Sequence, residues 1–325
     1  MNIKRILLIS VMILLIGLGV VLSYVKLALP NVGPPEDIKI EITDKRLERG
    51  EYLANHVTLC MDCHSTREWD VFSGPLKEGS NGMGGEIFNE DLGFPGNYVS
   101  PNITPFNLSS WTDGEIFRAI TSGVNKHGKA LFPIMPYKNF GQLAREDIYS
   151  IIAYIRSLPS IENTPSPSVS YFPFNFILNT IPTKGETLEK IPSKENTVEY
   201  GKYMTTAAGC YDCHTNQKDG KIIGDDFAGG FEFKLLSGGI VRSSNITPHD
   251  TGIKSWSEKD FINRFKIFQD STYLPQKVEE GEFQTIMPWS MYAGMKSEDL
   301  AAIYGYLQTL EPKENVVEKF SIAVK

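Results

Sequence analysis

Cysteine and histidine are scarce in this sequence, with four and five residues among 325. All four cysteines lie in two short motifs, Cys60-Met61-Asp62-Cys63-His64 and Cys210-Tyr211-Asp212-Cys213-His214. No cysteine is left for a structural disulfide, nor as a further thiolate ligand of a zinc site. An excess of basic residues is also lacking, because the formal net charge is −7. This balance argues against nucleic acid as a partner.

Long runs that are both uncharged and strongly apolar are absent from the sequence except near its start, where Ile6 to Val25 carry no charge. A helix of about 20 residues spans roughly 30 Å, the thickness of the hydrocarbon core of a bilayer. Lys4 and Arg5 precede this run, so the positive-inside tendency keeps the N-terminus in the cytoplasm. A cleaved signal peptide is the alternative, although only Ala28 offers a small residue for a cleavage site.

We therefore predict an uncleaved anchor over residues 1–26. It would cross a bacterial inner membrane once and place the remaining chain in the periplasm. Under the alternative of a cleaved signal peptide the remaining chain would also lie outside the cytoplasm.

The rest of the chain contains one pattern twice. Gly50 and Tyr52 correspond to Gly201 and Tyr203, and the two cysteine motifs follow at a nearly constant distance along the chain. Further repeated elements are Asn102-Ile103-Thr104-Pro105 with Asn245-Ile246-Thr247-Pro248, and Ile134-Met135-Pro136 with Ile286-Met287-Pro288. The matching order predicts an internal duplication.

The duplication predicts two domains, at residues 44–159 and 194–312. A linker at 27–43 would join the first domain to the anchor, a proline-rich linker at 160–193 would join the two domains, and a tail would follow at 313–325. The apolar stretch from Tyr171 to Leu178 is unsuited to a free tether. We expect it to lie against one or both domains.

Each domain is predicted to be helical. Apolar residues between Ile148 and Leu158, and again between Leu300 and Leu310, recur at helical spacing. Thr112 and Ser257 are each followed three residues later by an acidic residue, the pattern of a capping box at a helix N-terminus. Glycine-rich stretches are expected to be loops, or at most short hairpins.

Both cysteine motifs have the pattern Cys-x-x-Cys-His. Cysteines at i and i+3 lie on one face of a helix and can form thioether bonds to a porphyrin, while the next residue binds its iron. A redox dithiol or half of a zinc site is the alternative for one Cys-x-x-Cys, but neither requires a histidine in both motifs. We therefore predict two covalently bound haem c groups. The residues that would hold them are Cys60, Cys63, His64, Cys210, Cys213 and His214.

Met135 and Met287 are predicted as the sixth ligands of the two irons. Each lies in Ile-Met-Pro followed by an aromatic residue, in a short loop before the last helix of its domain. A methionine in a loop is more often ordinary packing, but the recurrence favours ligation. His/Met ligation raises the reduction potential of the iron, which suits an electron carrier. His56, His127 and His249 are the remaining histidines, and none recurs in the other copy.

The repeated Asn102 and Asn245, with the repeated Trp111 and Trp256, have two open interpretations. Their side chains could donate hydrogen bonds to a haem propionate and so reduce the cost of burying its charge. Alternatively, each asparagine starts a turn before a proline and each tryptophan closes a core.

Together these motifs resemble those of the cytochrome c subunits of bacterial membrane-bound alcohol and sugar-acid dehydrogenases. The resemblance runs from about Asp44 to Pro312. It implies a class I cytochrome c fold in each domain, and it implies that the paired Cys, Cys, His and Met positions hold haem. Such subunits typically carry three haem domains, whereas two are predicted here, so the donor enzyme stays open. The expected fold class is all-α, with two tandem class I cytochrome c domains after an N-terminal transmembrane helix.

The predicted function is electron transfer, not catalysis. Electrons would pass from a donor dehydrogenase through both haems to an acceptor cytochrome or terminal oxidase of a respiratory chain. A dihaem peroxidase, which needs an open iron and a nearby acid/base group, is one alternative. A haem-based ligand sensor is the other. An Ile-Met-Pro loop in both copies argues against the peroxidase, because both irons look equally blocked. For the sensor, carbon monoxide binding to the reduced protein is the deciding test.

Overall fold

The protein is described from a computed structural model, which gives residues 3–270 and 272–322. Helices form most of its regular structure. The α-helices of the described residues are α1 (Ile3–Leu27), α2 (Asp44–Tyr52), α3 (Cys60–Cys63), α4 (Pro105–Leu108), α5 (Asp113–Ser122), α6 (Tyr137–Phe140), α7 (Arg145–Ser157), α8 (Phe174–Ile177), α9 (Thr197–Ala207), α10 (Cys210–His214), α11 (Glu258–Lys266), α12 (Trp289–Tyr292) and α13 (Ser297–Leu307).

Helix α1 contains the whole uncharged apolar run from Ile6 to Val25. No residue within it is buried against the rest of the protein. Its length and apolar composition suffice to cross a membrane, and a signal sequence near an N-terminus has the same properties. A helix of this kind is a candidate membrane anchor or signal sequence.

Two helix pairs form the centre of the protein, α2 with α7 and α9 with α13. Gly50 lies where α2 crosses α7, and a Cβ atom there would come within 1.9 Å of the carbonyl oxygen of Ser150. Gly201 takes the same position in the second pair, where a Cβ atom would come within 2.0 Å of the Ala302 carbonyl oxygen. The repeated glycine therefore allows the helix backbones to touch in both pairs.

The expected capping boxes are present at the starts of α5 and α11. The Thr112 hydroxyl accepts from the backbone N–H of Glu115 at 3.2 Å, and the Glu115 carboxylate accepts from the Thr112 N–H at 2.8 Å. Ser257 and Asp260 make the same reciprocal pair at 3.2 and 2.9 Å. Both helix starts predicted from the capping pattern are confirmed.

Within the described part of the chain, short strands form three small antiparallel sheets, so the expected all-α fold is wrong. The glycine-rich stretch at 79–85 stays a loop and a hairpin follows it, whereas the stretch at 224–239 runs into a hairpin. Chain segments beyond the two helical regions add further strands. Runs this short carry too few residues for an alternation of apolar and polar positions to predict a strand. The strands are β1 (Ile87–Phe88), β2 (Gly96–Val99), β3 (Val169–Ser170), β4 (Gln217–Lys218), β5 (Lys221–Ile222), β6 (Glu232–Lys234), β7 (Ile240–Arg242) and β8 (Phe320–Ser321).

The proline-rich segment at 160–193 packs on residues 44–159. Its strand β3 pairs with β2 at Gly96 and Asn97. The Phe174 ring lies 5.7 Å from the Phe132 ring, and Leu178 is buried. The expectation that the stretch from Tyr171 to Leu178 lies against a neighbouring part of the chain is confirmed.

Buried residues from 44–159 (the N-terminal half) and 194–312 (the C-terminal half) belong to one hydrophobic cluster. Hydrogen bonds also cross between the halves. Tyr52 donates to Asp299, and Tyr203 donates to Asp147. The domain limits given by the sequence remain predictions, but the two halves share a core.

Candidate haem sites

Each Cys-x-x-Cys-His motif forms a short helix that begins after a left-handed residue. Leu59 precedes Cys60 with φ 53°, and Gly209 precedes Cys210 with φ 64°. Glycine takes this conformation without a steric cost, whereas leucine pays about 1 kcal/mol. None of the four cysteines forms a disulfide, and all four are half-buried. The backbone turn therefore places both thiols of a motif on one short helix, immediately before the histidine.

The motif histidines are oriented by backbone carbonyl groups. His64 Nδ1 lies 2.8 Å from the carbonyl oxygen of Pro101, and His214 Nδ1 lies 2.7 Å from that of Ser244. A carbonyl oxygen only accepts, so Nδ1 carries the proton in each ring and Nε2 keeps its lone pair for a metal. Burial lowers the pKa of both histidines, which favours the neutral imidazole that binds metals.

A glycine supports each histidine from the other side of its backbone. The Gly84 N–H donates to the His64 carbonyl at 2.8 Å, and the Gly229 N–H donates to the His214 carbonyl at 2.7 Å. Both glycines have positive φ. A Cβ atom on Gly84 would come within 2.5 Å of the backbone of Pro101, and one on Gly229 within 2.4 Å of the backbone of Ser244, the two residues whose carbonyl groups accept from the histidine rings. These two glycines were not among the predicted site residues, although the glycine-rich stretches that contain them were a signal for backbone with positive φ.

The arrangement of the cysteines fits thioether attachment to a haem. Burial raises the pKa of all four thiols, that of Cys210 and that of Cys213 to about 12. Within residues 3–270 and 272–322, no three His, Cys, Asp or Glu side chains converge on a point that could hold a metal ion. The paired thiols, the oriented histidines and the apolar surroundings therefore fit haem c.

The two Ile-Met-Pro segments have the same backbone shape. The Tyr137 N–H donates to the Met135 carbonyl at 2.8 Å, and the Trp289 N–H donates to the Met287 carbonyl at 2.8 Å. The intervening prolines have φ near −80° and ψ of 53° and 67°, which are the angles of an inverse γ-turn. Both methionines are half-buried and pack against the shared hydrophobic cluster, as do Cys60 and Cys210. Their role as iron ligands stays a prediction.

Each methionine loop (the Ile-Met-Pro segment with the short helix after it) also touches the segment that leads into the motif of the opposite half. Helix α12 packs against the π-helical turn Leu53–Val57, where the carbonyl of Met291 accepts from His56 Nδ1 at 2.9 Å. Helix α6 packs against α9, and Asn139 Nδ2 donates to Asp212 Oδ2 at 2.6 Å. The two candidate sites are therefore in reciprocal contact.

The aspartates inside the motifs have different partners. Asp62 forms a buried ion pair with Arg67 at 3.0 Å, and Arg67 also lies 4.1 Å from the Trp69 ring. Asp212 accepts from the neutral amide of Asn139. Burial raises the pKa of both carboxyls, against the opposing effects of Arg67 and Asn139. A cation therefore balances the charge of Asp62, whereas the carboxylate of Asp212 accepts from a neutral amide.

The repeated asparagines have a structural role. The Oδ1 atom of Asn102 accepts from the Thr104 N–H at 2.8 Å, and its Nδ2 donates to the Ile161 carbonyl at 2.8 Å. Asn245 Nδ2 donates to the Lys313 carbonyl at 2.7 Å in the same way. Each asparagine therefore closes a turn and ties it to the chain that follows the last helix of its half. Of the two interpretations, the turn is confirmed for the asparagines.

The repeated tryptophans are half-buried and pack against the hydrophobic cluster. Lys126 Nζ lies 5.6 Å over the Trp111 ring. The Trp256 carbonyl accepts from the Tyr304 hydroxyl at 2.7 Å. Both tryptophans therefore pack at the core, and their hydrogen bonding to a propionate stays a prediction.

Comparisons with known proteins agree with this chemistry. Residues 198–311 match the cytochrome c family model. The chain resembles cytochrome c subunits of dehydrogenases. The match covers one segment, in the C-terminal half, so the expectation of two tandem class I cytochrome c domains is corrected.

Three relatives illustrate the similarity. The chain is 26% identical over 286 residues to the cytochrome c subunit of alcohol dehydrogenase (quinone) from Gluconacetobacter polyoxogenes, covering 82% of this chain and 56% of that one. It is 26% identical over 240 residues to the fructose dehydrogenase cytochrome subunit from Gluconobacter japonicus, covering 68% and 44%. It is 24% identical over 294 residues to the gluconate 2-dehydrogenase cytochrome c subunit from Pantoea cypripedii, covering 84% and 62%. The chain spans about half the length of these relatives.

Proposed function

We propose that this protein is a membrane-anchored c-type cytochrome with two haem groups, which relays electrons from a dehydrogenase toward a soluble cytochrome or a terminal oxidase. The observation that carries the proposal is the reciprocal contact of the two candidate sites through their methionine loops. Haem c, when bound, supplies a one-electron couple at its iron. The residues that would hold it are Cys60, Cys63, His64 and Met135 in the N-terminal half, and Cys210, Cys213, His214 and Met287 in the C-terminal half.

The chain's own residues prepare each site for a fixed ligand set. The carbonyl groups of Pro101 and Ser244 hold the histidine rings with Nε2 free. The γ-turns hold Met135 and Met287 against the apolar cluster, where each thioether is partly shielded from water. Ligands held in this way change little when an electron arrives or leaves. This rigidity favours electron transfer over catalysis, so we propose a carrier and not an enzyme.

The contact between the sites supports a relay. Asn139 follows Met135 in its loop and bonds directly to Asp212, which lies between the two cysteines of the second motif. Met291 follows Met287 and bonds to His56 just before the first motif. Packed protein therefore fills the space between the two methionine loops and the opposite motifs.

The other parts of the proposal concern origin and location. The matched roles of Gly50 and Gly201, and of Gly84 and Gly229, support an internal duplication with units near residues 44–159 and 194–312. Helix α1 supports a single membrane crossing, with both haem sites in the periplasm. The dehydrogenase subunits that the chain resembles support a dehydrogenase as the electron donor.

Haem content tests the number of sites. The denatured holoprotein should retain two haems per chain, because thioether bonds survive unfolding. The double variant Cys60→Ala/Cys63→Ala should retain one, and Cys210→Ala/Cys213→Ala should also retain one. One haem in the unaltered protein, together with its complete loss in one of the double variants, would show a single site.

Leucine variants test the methionines, since leucine has a similar volume and no sulfur. Met135→Leu and Met287→Leu should each lower the potential of one haem and allow carbon monoxide to bind to it once reduced. Met295→Leu is the matched control, because Met295 is buried outside both loops and should change neither property. Carbon monoxide binding by the unaltered protein would favour a ligand sensor over a carrier.

A further inference from the structure

The segment Tyr171–Leu178 has one face on the protein and one face turned outward. On the inner face, Phe174 packs against Phe132 and Leu178 is buried. On the outer face, Phe172 is 80% exposed and Ile177 is 47% exposed. The Phe172 and Phe176 rings lie 6.4 Å apart in an edge-to-face pair. Adjacent exposed apolar side chains of this size are unfavourable in water and mark a surface that binds something.

This segment is held at the end of α1. Asn179 Nδ2 donates to the Val25 carbonyl at 3.2 Å, and Lys26 Nζ lies 5.5 Å over the ring of Phe176. Lys26 is the first charged residue after the uncharged run of α1. In a helix that crosses a bilayer, the first charge after the apolar run lies at the level of the headgroups. Phe176 and its neighbours therefore lie at that level too.

We infer that Tyr171–Leu178 is an interfacial anchor, whose outer face inserts among the lipid headgroups and upper acyl chains of the periplasmic leaflet. The inference rests on the proposed membrane anchor. Lipid is the occupant that the position favours, because the exposed face continues the lipid-facing surface of α1 at its outer end. Aromatic side chains are enriched at this depth of a bilayer, and short apolar faces bind there in proportion to their buried area.

The anchor would orient the N-terminal half on the membrane. One crossing helix leaves the attached protein free to rotate and tilt, whereas a second contact removes much of that freedom. Phe174 packs on Phe132, whose carbonyl accepts from the Met135 N–H at 3.2 Å. The methionine loop of the N-terminal half would therefore keep a fixed position relative to the bilayer.

Site-directed spin labelling of the full-length holoprotein tests the inference. The protein is reconstituted in nanodiscs of phosphatidylcholine and phosphatidylglycerol, and a nitroxide is attached to the variant Phe172→Cys. Its collision rates with oxygen, which concentrates in lipid, and with a water-soluble nickel chelate are compared. Val316→Cys is the matched control, because Val316 is 82% exposed in the chain beyond the C-terminal half. Leu14→Cys reports the middle of α1, and the unaltered protein is the labelling blank.

We expect the oxygen-to-nickel ratio at Phe172→Cys to exceed that at Val316→Cys severalfold and to be lower than that at Leu14→Cys. A ratio equal to that of Val316→Cys, with Leu14→Cys buried in lipid, overturns the interfacial anchor and leaves the membrane helix in place. Nickel access at Leu14→Cys overturns the proposed membrane anchor, and the inference with it.

Discussion

The hydroxyl of Tyr52 donates a 2.5 Å hydrogen bond to Oδ2 of Asp299, a fully buried carboxylate in the opposite half of the protein. Tyr203 makes the reciprocal bond, at 2.6 Å, to Oδ2 of the fully buried Asp147. Each tyrosine precedes a cysteine motif, and each aspartate lies near the start of the last long helix of its half. The exchange joins the halves and supplies donors to two carboxylates that have no access to water.

Removing either tyrosine hydroxyl should destabilise the protein. In Tyr52→Phe the buried Oδ2 of Asp299 loses its tyrosine donor, which costs about 1–3 kcal/mol. In Tyr203→Phe the cost should be smaller, because Oδ2 of Asp147 still accepts from Arg49 at 2.7 Å. Unfolding by denaturant, followed by circular dichroism, measures the change. Tyr171→Phe is the control, because its hydroxyl bonds to Glu90 in an exposed position. Losses no larger than that of the control would show that the exchange contributes nothing to stability.

The raised pKa values of Tyr52 and Tyr203, and of the nearby Tyr200, predict a loss of stability at alkaline pH. Burial raises the pKa of Tyr52, Tyr200 and Tyr203, and neighbouring carboxylates raise each further. The folded state therefore prefers neutral tyrosine, while the unfolded chain ionises near pH 10. Stability from this source is complete below about pH 10 and falls as pH rises above it. The free energy of unfolding should decline less steeply above that pH in Tyr52→Phe/Tyr203→Phe. Equal slopes would contradict the prediction.

Glycine-to-alanine substitutions should change the melting temperature in opposite directions at different helix positions. Alanine normally favours a helix over glycine by about 1 kcal/mol. At Gly50 and Gly201, however, the added methyl group would overlap a carbonyl oxygen of the facing helix. Gly50→Ala and Gly201→Ala should therefore lower the melting temperature. Gly305→Ala is the matched control and should raise it, because α13 has open space there. A stabilising Gly50→Ala would mean that the helices can separate cheaply.

Local patterns in the sequence predicted the parts of the site that depend on neighbouring residues. The spacing of Cys60, Cys63 and His64 is the signature of one helical turn, and the capping box at Thr112 needs only four consecutive residues. The sequence identifies Gly50 and Tyr52 as repeated positions, but it does not predict the residues that they contact. Their partners Ser150 and Asp299 are far away along the chain. Such contacts depend on how the helices pack, which no local pattern encodes.

The strands could not be predicted for a different reason. Strand β3 lies in the proline-rich segment, and β8 lies in the chain after the last helix. Each pairs with a strand of a hairpin that is far away along the sequence. A strand of two residues is too short to show an alternation of apolar and polar positions, and it is stabilised by the strand beside it. The contact between Asn139 and Asp212 was equally hidden, because the two residues lie in different halves of the protein and no local pattern links them.

The unequal environments of Asp62 and Asp212 predict unequal haem potentials. A negative charge near the iron favours its ferric state, and Arg67 balances that charge in the N-terminal half. Asn139 is neutral, so the charge of Asp212 is not balanced in the same way. We expect the haem of the C-terminal half to have the lower potential, so that electrons would pass from it to the haem of the N-terminal half.

Charge-neutralising variants test this difference at about pH 8, a high value chosen because burial raises the pKa of Asp212 above its ordinary value. Asp212→Asn should raise the potential of one haem by on the order of 50 mV, the effect of one charge at roughly 10–15 Å in a medium of intermediate dielectric constant. The new amide can still bond to Asn139, so the packing is kept. The matched control is Asp62→Asn/Arg67→Met, which removes both charges of the ion pair and should move the other potential much less. Spectroelectrochemical titration resolves the two haems. A larger shift in the control than in Asp212→Asn would mean that the motif aspartates do not order the potentials.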